Sequence, residues 1–350
     1  MKDLTILPDI TIRRAMKELS QSGEKCLVVV DNAQRLLGTL SDGDLRKAIL
    51  KGAGVGESIL EIFQPKPTYL VQGGYDLAEA KRIFIKHKFD LIPIVNQENE
   101  VVDILYWGEL FQNGEGGDQR QRLGIPVVIM AGGKGTRLEP FTKVLPKPLV
   151  PIHEKPIIEH IIERFRAVGV NEFILTVNYK MRIMKAYFEE LQPEYSVEFI
   201  EEKEPLGTAG SLKFLEGRFT QPFMVTNCDI LIKADYLDLF NFHQNNAHDI
   251  TLVASLKNYT IPYGTITLNG DGQLDQINEK PEYDFLVNTG LYVLNPDILP
   301  LIPENREYHI THLIEEAKGK GKRIGVYPID EDAWIDIGQW AEYQKVVDRL

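Results

Sequence analysis

Nine residues carry the sharpest chemical signal in the chain: Met130-Ala-Gly-Gly-Lys-Gly-Thr-Arg-Leu138, placed where the apolar run Pro126 to Met130 ends. Gly132, Gly133 and Gly135 permit a tight turn and let the backbone come close to a ligand. Successive amides in such a turn form a nest for an anion, and Lys134 and Arg137 add cations. The segment is not a Walker loop, because Gly-Lys is followed by Gly135 and not by Ser or Thr. Nor is it the dinucleotide fingerprint, because Leu138 stands in the place of the last glycine. Between residues 134 and 155, Lys134, Arg137, Lys143, Lys147 and Lys155 face only Glu139 and Glu154, a local balance of +3. The chain as a whole is acidic, with 51 acids against 39 bases and a net charge of -12. A basic patch on such a background focuses polyanionic substrates. The overall balance argues against a sequence-blind nucleic-acid binder. No nucleophile–base arrangement is present, which suits a direct displacement. His153, His243 and His309 have no partner at a zinc-ligand spacing and are read as surface or packing residues.

The glycine turn continues through Glu139-Pro-Phe-Thr-Lys-Val-Leu-Pro-Lys-Pro-Leu-Val-Pro-Ile152. Together with Pro140, Thr142 and Pro146-Lys147-Pro148 it resembles the sugar-1-phosphate nucleotidyltransferases. That resemblance implies a nucleoside triphosphate held by Ala131, Gly132, Gly133, Gly135 and Thr136. Leu206-Gly207-Thr208-Ala-Gly210 would hold the base, although Thr208 equally suits a helix N-cap. It also implies Mg²⁺ on two carboxylates, Asp229 in Met224-Val-Thr-Asn-Cys-Asp229 and Asp336 in Trp334-Ile-Asp-Ile-Gly338. Asn227 and Cys228 depart from the glycine usual just before the first of them. Sugar-side motifs are Tyr263-Gly264, Asn278-Glu279-Lys280-Pro281 and Asn288-Thr289-Gly290. In them Gly264 would admit the sugar, Glu279 and Asn288 would bind its hydroxyls, and Lys280 would hold its phosphate. Arg137 and Lys134 would bind the β and γ phosphates, and Lys147 would neutralise charge near the α phosphate.

The elements that must position these residues alternate. Apolar runs 126–130, 173–177, 197–200, 222–226 and 250–256 read as strands, and 156–168, 181–191, 208–215 and 236–243 as helices. This order predicts an α/β fold, a mostly parallel Rossmann-like sheet between helices, with ligands beyond the carboxyl ends of its strands. Residues 112–124 hold three glycines in the first six positions and one apolar side chain, Leu123, and read as a linker. Residues 125–350 are then the catalytic domain.

Residues 1–111 repeat themselves. A shift of 65 positions places Cys26-Leu-Val-Val-Val30 on Leu91-Ile-Pro-Ile-Val95, and Leu36 to Leu45 on Val101 to Leu110. The copies span about 1–53 and 58–111, each read as helix, strand, polar turn, strand and a helix opening at a Gly-acid pair. This pattern resembles a tandem CBS-domain (Bateman) module. The resemblance implies a regulatory nucleotide whose ribose binds at Ser41 and Asp44; Ser41 or Asp42 equally suits a plain helix cap. The second copy departs from the pattern with Tyr106 and Glu109. Nucleotide sensing and structural or dimerising use both fit, and a homo-oligomer is expected.

The run from Gly135 to His160 resembles guanylyltransferases more than thymidylyl enzymes. Fusion to a CBS pair resembles those that make GDP-glucosamine for nonulosonic acids. Uridylyl or thymidylyl transfer to a hexose-1-phosphate and a non-catalytic nucleotide sensor remain the alternatives. Cys26 and Cys228 sit in apolar runs and read as reduced core thiols. No apolar run reaches the ~18 residues of a membrane span. The N-terminus lacks the apolar segment of a signal peptide. A cytoplasmic setting without a membrane or nucleic-acid partner is expected.

Overall fold

The first hundred residues trace one path twice. In this computed structural model, which describes residues 4–87, 89–106, 122–338 and 340–347, the first pass comprises β1 (Thr5–Ile6), α1 (Ile12–Ser22), β2 (Cys26–Val30), β3 (Leu36–Ser41) and α2 (Asp42–Leu50). The second comprises β4 (Leu70–Val71), α3 (Leu77–His87), β5 (Leu91–Val95) and β6 (Val101–Tyr106). β2 pairs antiparallel with β3 as Cys26↔Ser41, and β5 with β6 as Leu91↔Tyr106. Both hairpins shift register at the same place, between Val29 and Val30 and between Ile94 and Val95. Even the left-handed turn residues correspond, Gln34 at φ 59° and Asn99 at φ 64°. The two copies join through these turns. Leu36 N–H donates to Asn99 O at 2.9 Å, and Val101 N–H donates to Gln34 O at 2.8 Å. The helix read as opening at Gly108-Glu109 and the linker up to residue 121 lie outside the described residues.

The chain divides into two compact units. One comprises Met1–Arg120, Tyr259–Asp284 and Asp330–Asp332; the other comprises Gln121–Asn258, Phe285–Ile329 and Ala333–Leu350. The first therefore includes an antiparallel hairpin of Thr265–Leu268 with Leu274–Asn278.

The second unit is built on β7 (Val127–Met130), β8 (Glu172–Val177), β9 (Ser196–Glu201), β10 (Phe223–Asn227), β11 (Ile230–Ile232), β12 (Ile250–Thr260), β13 (Glu282–Leu294), β14 (Ile324–Ile329) and β15 (Trp334–Asp336), of which β12 from Tyr259 and β13 up to Asp284 count with the first unit. Seven of these form one sheet in the order β9-β8-β7-β10-β13-β12-β14. β9, β8, β7 and β10 are mutually parallel, and β13 enters antiparallel to β10. The sheet is parallel-rich, and β7 is an inner strand, between β8 and β10, with both faces buried. Val127 and Ile129 enter one apolar cluster, and Val128 and Met130 enter the other. On the first face the helix Ile157–Arg166 presents Ile157, Ile158, Ile161, Ile162 and Phe165, a stripe at helical spacing. On the opposite face the helix Ile310–Gly319 contributes Ile310, Leu313 and Ala317. Residues 208–215, read as a helix, instead form a 3₁₀ helix over Gly210–Leu215. Their preceding amides are drawn away, with Ala209 and Gly210 N–H both donating to Tyr308 O.

One buried histidine ties three elements of this unit together. His243 is 1% exposed and meets Thr251 Oγ1 at 2.9 Å and Asn295 Oδ1 at 3.1 Å. Burial holds its pKa below the usual 6.5, against the opposing pull of Asn295 and Asp249. Beside it, burial and the neighbouring His243 and Arg323 lower that of His248 too. The folded chain thus binds fewer protons than the unfolded chain between the depressed values and about pH 6.5, and stability rises with pH across that window. We expect the melting temperature to fall as the pH drops below about 6.5, by roughly 2–4 °C per kcal/mol of proton linkage. In thermal scans at several pH values, His243→Gln should flatten part of this slope.

Candidate active site

The glycine turn leaves the end of β7 with its geometry fixed by neighbours. A Cβ on Gly132 would fall 2.8 Å from Glu202 Oε2, and one on Gly135, at φ 68°, 2.9 Å from Lys147 Cβ. Thr142 Oγ1 donates to Gly135 O at 2.9 Å, closing the Pro140–Pro148 segment onto the turn. Lys147 is thereby carried against the glycines. Ala131 is buried and its N–H donates to Thr176 O, whereas Gly133, Lys134, Thr136 and Arg137 are exposed. Lys134 has no ion pair among the described residues. Arg137 is near enough to Asp336 to pull its pKa downward.

Asp229 and Asp336, 107 positions apart in sequence, come together because Asp229 immediately precedes β11 and Asp336 ends β15. β11 pairs antiparallel with β15, with Ile230 opposite Asp336, and Ile337 N–H donates to Asp229 O at 2.8 Å. Gly338 marks the point of convergence. A Cβ there would overlap Asp229 Oδ2, lie 2.9 Å from Asp336 Oδ1 and lie 3.2 Å from Lys147 Nζ. The Lys147 ammonium pairs with Asp229 Oδ2, their side chains being 15% and 18% exposed. Burial opposes the charge on Lys147, but Asp229 and the other negative groups around it more than offset that, and its pKa stands above the ordinary lysine value. Burial raises the pKa of Asp336, the Gly338 amide lowers it, and the nearby Asp229 raises it further. Two crowded carboxylates of this kind suit a hard divalent cation that takes its remaining ligands from phosphate and water. Among the described residues no third His, Cys, Asp or Glu joins them.

Leu206–Gly210 is held by a distant segment. Tyr308 N–H donates to Leu206 O, and Thr208 Oγ1 accepts from Ile310 N–H at 3.0 Å. Thr208 therefore caps the helix Ile310–Gly319 and not the turn that follows it in sequence. Gly207, at φ 75°, passes so close that a Cβ would lie 2.7 Å from Tyr308 O. Between this loop and Gly132 sits Glu202, only 4% exposed. Its Oε2 accepts from Leu206 N–H at 3.3 Å, and it has no cationic partner among the described residues. Sequence reading missed Glu202, whose only signal was its place in the acidic run Glu201-Glu202-Lys203-Glu204.

The sugar-side motifs separate. Asn288 lies on β13, and its amide makes two hydrogen bonds within the strand, keeping one N–H and one oxygen lone pair free of them. Nδ2 donates to Tyr292 Oη at 2.8 Å, and Oδ1 accepts from Gly290 N–H at 3.1 Å. Gly290, at φ 93°, leaves room for Asn227, whose Cγ would lie 2.9 Å from a Cβ there. Gly264, Glu279 and Lys280 belong to the first unit. There Glu279 Oε2 lies 3.0 Å from where a Gly264 Cβ would be, and Lys280 turns at φ 45°. In the N-terminal module Ser41 and Asp44 form a reciprocal capping box, and Gln64 Nε2 donates to Asp44 Oδ1 at 3.4 Å. The cap that the sequence allowed is present. Both cysteines are free thiols whose pKa burial pushes to about 12.

A parallel-rich sheet with a glycine turn at the end of β7, and a lysine and two converging carboxylates beside that turn, suits an anionic, nucleotide-like ligand. The chain belongs to the nucleotidyl transferase family, whose profile matches residues 126–350, and residues 1–51 match the CBS domain. It is 36% identical over 223 residues to the mannose-1-phosphate guanyltransferase of Yarrowia lipolytica, covering 61% of this chain and 60% of that protein. With the Candida albicans enzyme of the same name it shares 37% over 226 residues, again 61% and 60% of the two chains. The match thus spans about three-fifths of these relatives' length. Among solved structures, HddC from Yersinia pseudotuberculosis is similar with TM-score 0.51 and 27% identity, over 64% of this chain and 99% of that one. It has also been solved with GMP-PN. The family generally uses a divalent metal. No helix among the described residues is long and apolar enough to cross a membrane.

Proposed function

We propose that this chain transfers GMP from GTP to a sugar-1-phosphate, releasing pyrophosphate and forming a GDP-sugar. The observation that carries this reading is the convergence of Lys147, Asp229 and Asp336 beside the glycine turn. An oxygen of the sugar phosphate attacks the α-phosphorus in line and pyrophosphate leaves. With no covalent intermediate, catalysis is positioning and charge stabilisation. The amides of residues 132–136 cradle the triphosphate beside the buried Ala131, and Lys134 and Arg137 take the β and γ phosphates and the leaving group. Lys147 moves from Asp229 toward the charge that develops at the α phosphate. Asp229 and Asp336 would hold a divalent ion, Mg²⁺ in this proposal, which neutralises triphosphate charge when bound. On the sequence motif alone, Glu279 is assigned sugar hydroxyls and Lys280 the sugar's phosphate. Asn288 is assigned a further contact to the sugar, and Gly264 gives Glu279 its room. The sugar is taken to be a hexose- or hexosamine-1-phosphate, and the setting the cytoplasm. The N-terminal module is assigned a regulatory nucleotide at Ser41 and Asp44, which must open the capping box to enter, and a part in homo-oligomer assembly.

Guanine is favoured by Glu202 as well as by the relatives' names. A buried carboxylate beside the base loop accepts two neighbouring donors, and guanine's N1–H and N2–H₂ edge supplies them. Uracil and thymine flank one N–H with carbonyl oxygens, which a carboxylate repels. Pyrophosphate release, assayed with each triphosphate against a panel of sugar-1-phosphates, tests the reading. GTP should be used best, and no release from any pair would overturn it. Glu202→Gln should lower kcat/KM for GTP about 10-fold to 100-fold and narrow the preference over UTP, the range expected when a charge-assisted pair is weakened.

A further inference from the structure

Arg13 stands in the first turn of α1 and reaches a strand 269 positions away. Its guanidinium donates to Glu282 Oε2 at 2.9 Å through one terminal nitrogen and pairs with Asp284 Oδ1 through the other. All three residues belong to the first compact unit. Glu282 and Asp284 are two apart on β13, so both project from the same face, and the planar fork of an arginine spans them. They directly follow Asn278-Glu279-Lys280-Pro281, and Ile261 N–H donates to Pro281 O at 3.0 Å to close the hairpin base. Charge makes this pairing consequential. Residues 259–284 contain Asp271, Asp275, Glu279, Glu282 and Asp284 against a single base, Lys280. A segment this acidic repels the phosphate dianion that Lys280 is assigned to hold, unless nearby carboxylates are neutralised. The backbone of Arg13 is fixed as well. Ile12 N–H and Arg13 N–H donate to Glu57 O and Val55 O, both at 2.9 Å, so the first turn of α1 is tied to the segment that follows α2. α2 is the helix that Ser41 and Asp44 cap.

We propose that Arg13 is a positioning residue for sugar-1-phosphate recognition, through which the N-terminal module sets the affinity for the sugar substrate. It acts by clamping the strand that follows Glu279-Lys280 and by offsetting two of the five carboxylates of residues 259–284. The inference rests on the sugar-1-phosphate reading above. Steady-state kinetics of the full chain test it. Arg13→Ala should raise the KM for the sugar-1-phosphate about threefold to tenfold, the usual coupling of one such network. The KM for GTP and kcat at saturating sugar should stay within twofold of the native values. Arg13→Lys, which keeps the charge and loses the fork, should fall between. In a Glu282→Gln/Asp284→Asn background, Arg13→Ala should have no further effect; this double variant also gives the answer if Arg13→Ala folds poorly. Native turnover combined with an unchanged sugar KM in Arg13→Ala overturns this proposal and leaves the transferase reading standing. So does an equal rise in both KM values, or full additivity in the double-variant background. Absence of native turnover removes both.

Discussion

Lys147→Ala is expected to lower turnover by about 10² to 10³, the loss typical when one donor that stabilises transition-state charge is removed. The ammonium has two jobs, which separate in experiment. During reaction it meets negative charge near the α phosphate. At rest it neutralises Asp229 and draws down the pKa of Asp336. Without it two partly buried carboxylates face each other uncompensated, at a cost of about 1–3 kcal/mol. The resting variant should therefore melt earlier than the native chain. A divalent ion should raise its melting temperature more than that of the native protein, because no lysine competes for the carboxylates. Pyrophosphate release at saturating substrates checks the first effect, and thermal scans with and without the ion check the second. A near-normal rate would remove Lys147 from the mechanism.

Gly338→Ala should be as damaging to turnover, by about 10² or more, while leaving the fold in place. The methyl group would enter the space between Asp229 Oδ2 and Asp336 Oδ1. The atoms it meets are side-chain ends, which can swing away without moving the backbone, so the melting temperature of the substrate-free chain should shift little. The swing separates the carboxylates and ruins the seat for a cation. Gly38→Ala makes the contrast. There the added carbon would overlap the backbone oxygen of Gln64 and the ring of Phe63, so stability suffers instead. Native-like dependence of the Gly338→Ala rate on divalent ion would exclude the proposed seat.

How far the sequence revealed these sites depends on the range of the interactions. The glycine turn was legible because close approach of backbone to an anion limits the residue types within a few positions. The strands and the helix over Ile157–Arg166 were legible because burial on one face imposes a period. Asp229 and Asp336 were found only through the order of motifs, since the β11–β15 pairing that joins them spans the last third of the chain. Long-range partners were invisible. Nothing local says that Thr208 caps a helix at Ile310, or that Tyr308 draws the amides of Ala209 and Gly210 out of a regular helix. Asn288 was read as a sugar contact; what its motif did not signal is that Gly290 and Tyr292, two and four positions along the same strand, each hydrogen-bond its amide. Glu202 was hidden for the opposite reason. An acidic tetrapeptide looks solvated until the loop from Leu206 closes over it.

The joint between the two N-terminal copies is reciprocal: Leu36 gives to Asn99 as Val101 gives to Gln34, each pair displaced by the same 65 residues. Two identical subunits meeting across a twofold axis would make the same exchange. Here both halves are tethered on one polypeptide, so dilution does not separate them. The amides and carbonyls used in that exchange are already committed, and a second chain has to dock elsewhere.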